Sequence, residues 1–135
     1  MQFYQGNFRD AAADMLRSVE LEDDAHPMLF RFLARSRAGE SAASELEANA
    51  GRLKTKEWPY AVIELYLGRR QPDAALDAAS EDTERCEAQF YIGEWHLLRD
   101  ETTEAATALR VAAETCPKTF VEHDGAIAEL KRLNP

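Results

Sequence analysis

Three histidines, two cysteines and an excess of carboxylates are the groups in this 135-residue chain that could do chemistry. His26, His96 and His123 are far apart in the sequence. Glu94 and His96 are two apart in a helical stretch and so point away from each other, which argues against a shared metal. His96 fits better as a large packed side chain. Glu122-His123-Asp124 has the makings of an acid–base cluster, but it opens a helical block, where the helix dipole favours carboxylates in any case. The chain has no glycine-rich phosphate loop, no G-x-S-x-G elbow and no H-E-x-x-H. Spacing singles out no pair of carboxylates for general acid–base work. The reading is a non-enzyme without cofactor or metal.

The elements that must position these groups are helical. Ala supplies 23 residues and Leu 14, against seven for Val and Ile together, the reverse of what a sheet needs. Apolar residues recur at 3–4 spacing in blocks at 8–20, 28–38, 41–50, 59–67, 72–79, 84–99, 102–115 and 121–133. Turn signals separate the blocks: Glu22-Asp23-Asp24, Gly39, the basic stretch 51–56, Gly68, 80–83 and Pro117. Helices of this length on short connections are antiparallel neighbours. The formal net charge of -9 argues against nucleic acid and against anionic membrane surfaces, since phosphates need a basic excess. No run of apolar residues is long enough for direct membrane insertion, and no export signal opens the chain.

The blocks pair into units of about 30 to 34 residues, which favours a solenoid over a bundle. In the clearest unit, 86–119, Gly93 is the small residue of the first helix, Asp100 stands at the turn, and Ala105, Leu109, Ala112 and Pro117 follow. That order of small, bulky, small and proline residues resembles the tetratricopeptide repeat (TPR). Gly6-Asn7-Phe8, Ala11, Met15, Val19 and Leu21 resemble the latter part of another unit, so 1–24 reads as a partial repeat and the chain as a piece of a longer protein. Degenerate units span about 25–50 and 55–80, and 120–134 reads as a capping helix with Glu129, Lys131 and Arg132 on its wet side and Ile127, Leu130 and Leu133 on its buried side. Three further blocks are similar to the C-terminal half of bacterial TPR lipoproteins of the NlpI type: Glu57-Trp58-Pro59-Tyr60 with Ile63–Gly68, Cys86–Gly93, and Phe120-Val121-Glu122 with Gly125-Ala126. That group are envelope adaptors. The resemblance implies an all-α, right-handed TPR-like solenoid of antiparallel hairpins with a C-terminal cap.

Cys86 begins the first helix of the clear unit and Cys116 ends the second, so antiparallel packing puts both at one edge. A disulfide there is one reading and two packed thiols the other. A bridge implies an oxidising compartment; the resemblance leans periplasmic or envelope-associated, with any signal upstream, and the alternative is cytoplasmic. In TPR arrays the first helices line a concave groove. By that rule Glu87, Phe90, Glu94 and Leu97 face the groove in the clear unit, Tyr60 and Glu64 share a face in the third, and Arg31, Arg35 and Arg37 line the neighbouring wall. Arg69-Arg70 reads as a solvated turn. The function expected is a protein-interaction module, a scaffold or adaptor that binds a peptide or partner helix. The alternative is a structural domain that docks within its own protein or forms a homodimer through apolar surface near Phe8 and Met15.

Overall fold

In the computed structural model, described for residues 6–21 and 24–134 and for backbone alone at 17, 18, 20 and 21, every regular element is helical. Eight helices occur among these residues: α1 (Phe8–Leu21), α2 (Ala25–Arg37), α3 (Ala43–Ala50), α4 (Tyr60–Tyr66), α5 (Pro72–Asp77), α6 (Asp82–Leu98), α7 (Thr102–Thr115) and α8 (Val121–Leu133). The chain is all-α, as its balance of residue types predicts. Residues 1–5, with the tail expected for an incomplete first repeat, and Glu22 and Asp23 of the first turn lie outside the described residues. The helices group into two compact units, Met1–Gln71 and Pro72–Pro135.

In the first unit α2 is the hub, packed against α1, α3 and α4. Its buried stripe is Met28, Leu29, Phe32 and Leu33, the 3–4 spacing of one helix face. Ala11, Ala12 and Val19 of α1 are buried, as are Leu46 of α3 and Val62, Ile63 and Leu65 of α4. The Phe32 and Tyr66 rings stack with centroids 5.0 Å apart. Asp24 caps α2 by accepting the His26 N–H at 3.0 Å. That cap starts α2 at Ala25 and leaves Pro27 in its first turn, earlier than the periodic block at 28–38 predicts. At the N-terminal face, Leu16 is exposed and Met15 half-buried, while the Arg37 guanidinium covers the Phe8 ring at 4.5 Å.

The second unit repeats the plan with α6 as hub, touched by α5, α7 and α8. The expected turn at 80–83 is shorter than predicted, because Glu81 and Glu84 form a capping box that draws Asp82 and Thr83 into α6. Glu84 accepts the Ser80 N–H at 2.9 Å, which holds its carboxyl below the usual carboxylate range. Helix α5 is only six residues long. Three helices end in the same way, on a residue with left-handed backbone followed by an N–H that reaches back to a carbonyl five residues earlier. These are Gly39 (φ 87°) after α2, Gly68 (φ 77°) after α4 and Asp100 (φ 60°) after α6.

The α6–α7 hairpin is the most extensive helix pairing in this unit. A Cβ added at Gly93 would lie 2.7 Å from Leu109 Cγ and 3.4 Å from the Ala105 carbonyl oxygen. The absent side chain is what lets the two helices approach, with Ala105, Leu109 and Ala112 buried opposite.

Helix α8 corrects one expectation. Glu129, placed by its charge on the wet side, is 1% exposed, while Ile127, Leu130 and Leu133 are half-buried. The reason is geometric: Gly125 and Ala126 are the small residues that allow close approach, and Glu122 and Glu129 lie a turn to either side on that same face.

Gly93→Ala gains helix propensity of about 1 kcal/mol and meets an overpacking cost of about 1–3 kcal/mol. Urea denaturation should show a net loss of stability. Leu109→Ala should cost about 2–5 kcal/mol, and in that background Gly93→Ala should no longer destabilise, because its clash partner is gone.

Candidate functional site

The nine residues expected to line a binding groove fall five in the first unit and four in the second, and Arg37 of the first lies over the Phe8 ring. In the first, Arg31 and Arg35 of α2 are engaged internally. Arg31 forms a bidentate pair with Glu45 of α3, Nε at 2.8 Å and Nη2 at 3.2 Å, and donates to the Ala12 carbonyl of α1 at 2.6 Å. Arg35 pairs with Glu40 at 2.8 Å and with Glu45 at 3.1 Å. These arginines therefore clasp α1, α2 and α3 together. Hydrogen bonding from Arg31, with the charges of Arg31 and Arg35, holds the Glu45 carboxyl below its usual range. Tyr60 is half-buried with the Lys56 ammonium 5.6 Å from its ring centroid. Glu64 accepts from Arg70 at 2.7 Å, so the segment read as a solvated turn is tied back: Arg70 to Glu64 and Arg69 to Glu47, also at 2.7 Å.

In the second unit α6 carries Glu87, Phe90, Glu94 and Leu97. Phe90 and Glu94 are fully buried, and Glu87 and Leu97 are half-buried. Phe90 and Glu94 are therefore not presented to a ligand on an open groove, as the repeat arithmetic expected. Phe90 packs edge-on to Tyr91 at 5.2 Å. The Tyr91 hydroxyl donates to Glu122 at 2.8 Å, linking α6 to α8 through a buried carboxylate. Glu122 is thus a packed acceptor and not simply a solvated first-turn charge. Glu129 accepts from Arg132 one turn on.

Each histidine pairs with a nearby carboxylate: His26 with Asp24, His96 with Glu101 at 2.9 Å and His123 with Asp124 at 3.3 Å. His96 also packs edge-on to Trp95, whose face is covered by Arg99 at 4.5 Å. The His96 hydrogen bond, aided by Arg99, lowers the Glu101 carboxyl from its usual range.

Cys86 and Cys116 form a disulfide with Cα atoms 5.1 Å apart, joining the start of α6 to the end of α7. Cys86 also lines the larger of two cavities that sit in series between α5, α6 and α7, of about 470 Å³ and 360 Å³. Leu76 of α5, Gln89 of α6 and Val111 of α7 line both. Together the cavities follow the hairpin from the disulfide to His96 and Thr103. Sequence reasoning missed this groove, because it looked to the first helices of each repeat. The available signal was the shortness of the block at 72–79 beside two full-length helices. No known family model matches the chain.

Two outcomes follow. A folded-state pKa held down at Glu45 contributes stability that is complete above about pH 4.5. It is lost as pH falls through the lowered value. Glu45→Gln should therefore flatten the acid limb of a pH–stability curve measured by urea melts, with Glu84 and Glu101 supplying what remains. Replacing both cysteines by serine removes a cross-link of sequence separation 30, and the stability lost in non-reducing buffer should be about 3–4 kcal/mol.

Proposed function

We propose that the chain is a non-catalytic adaptor built as a TPR-like right-handed solenoid capped by α8, binding a peptide or partner helix. The observation that carries this reading is the α6–α7 hairpin, where Gly93, Ala105 and Leu109 pack in the order of the repeat and a disulfide closes the edge. Such a hairpin is a rigid wall, and the groove along it offers apolar and small side chains to a ligand at little ordering cost. The resemblance of 57–68, 86–93 and 120–126 to NlpI-type bacterial lipoproteins supports an envelope adaptor. The disulfide favours the oxidising side of that envelope.

A second reading, homo-oligomerisation through α1, draws on the exposure of Leu16. Selection of a displayed peptide library on the intact, oxidised chain separates the two. The adaptor reading expects a related set of peptides that compete with one another at micromolar affinity. Failure to enrich any set, with a mass that rises with concentration and falls on Leu16→Glu, would replace it with the oligomer.

A further inference from the structure

We infer that the groove between α5, α6 and α7 takes an amphipathic helix from a partner, with that helix's basic C-terminal turn seated at the Asp73–Glu104 end. This rests on the adaptor reading and names the surface and the partner's chemistry.

At 1.5 Å per residue, α7 with its 14 residues runs about 21 Å, whereas α5 with six runs about 9 Å. Helix α5 packs on α6 and contributes Leu76 to both cavities, leaving the groove open to either side of it. The wall that α7 presents is therefore longer than α5 can cover.

Ile92, Val111 and Leu76 are apolar, and Val111 is 37% exposed. Thr107 and Thr115 also line the cavities, and their hydroxyls are turned onto their own helix. Thr107 donates to the Thr103 carbonyl at 3.1 Å and Thr115 to the Val111 carbonyl at 2.7 Å. With those donors satisfied within α7, residues 107, 111 and 115 form a stripe at i, i+4, i+8 whose groove-facing character is largely methyl. An apolar stripe with that spacing matches the ridge of another helix.

At the disulfide end Asp82 and Arg85 are paired with each other. At the opposite end Asp73 and Glu104 both line the smaller cavity and are exposed, and no cation pairs with either among the described residues. Glu104 lies in the first turn of α7, so a partner helix running antiparallel to α7 places its own C-terminal end there. Basic residues in that last turn meet both carboxylates and suit the negative C-terminal end of the partner helix's own dipole.

The test uses two fluorescein-labelled 16-residue peptides with leucines at 3–4 spacing, one with lysines in its last turn and one with glutamates there. Anisotropy on the oxidised, full chain should show the lysine peptide binding at least tenfold tighter, with the advantage shrinking as salt is raised. Val111→Glu, a change at an exposed position, should weaken it at least tenfold, and Asp73→Lys with Glu104→Lys should invert the preference between the peptides. Equal binding of both peptides, binding of neither, or indifference to Val111→Glu would overturn the inference. So would self-association abolished by Val111→Glu, which would make the occupant a second copy. The adaptor reading has a separate fate. Library-selected peptides that bind Val111→Glu as tightly as the parent chain leave it standing and sink only this groove.

Discussion

The close approach of α6 and α7 at Gly93 is the contact on which the second unit depends. Where one helix lacks a side chain, the backbone of the other can come near enough for Leu109 to fill the gap. That approach fixes the separation and tilt of the hairpin, and hence how near Cys86 and Cys116 come at its edge. It also fixes where the outward stripe of α7 faces. The disulfide reinforces geometry that packing has already set, acting chiefly by restricting the unfolded chain.

Polar groups hold the two units in different ways. In the first, half-buried guanidinium groups bridge neighbouring helices: Arg31 reaches both the Ala12 carbonyl and Glu45, so losing it would cut this tie between α1 and α3 and leave Glu45 to Arg35. In the second, carboxylates go inside. Glu122 is reached by the Tyr91 hydroxyl and Glu129 by Arg132, both on a face that Gly125 and Ala126 make close-fitting. The Tyr91–Glu122 hydrogen bond helps specify which face of α8 packs, because rotating α8 would strip Glu122 of that donor.

Much of the helical order was legible in the sequence, because Ala, Leu and helix-stopping glycines carry local signals: Gly39 and Gly68 end α2 and α4 where the pattern says they should. Capping by Glu81 was harder to read, since glutamate is an uncommon N-cap and its partner Glu84 looked like part of the helix proper. The site was less legible than the fold. Glu129 and Glu94 carry charge that predicts solvent, yet tertiary packing buries both. Arg31 and Arg35 looked like groove residues because their partner Glu45 lies on another helix, beyond any helical spacing rule. The Cys86–Cys116 edge could be narrowed to a bridge or two thiols from hairpin topology alone, but the Cα separation that distinguishes them is a tertiary quantity.

Amide hydrogen exchange, read by mass spectrometry with and without the lysine-ended peptide, tests most directly that the hairpin groove is the working surface. The account predicts added protection concentrated in α5, in the 86–96 stretch of α6 and along α7, with α1 to α4 unchanged. Protection that falls instead on α2 or α4, or that spares α7, would contradict it.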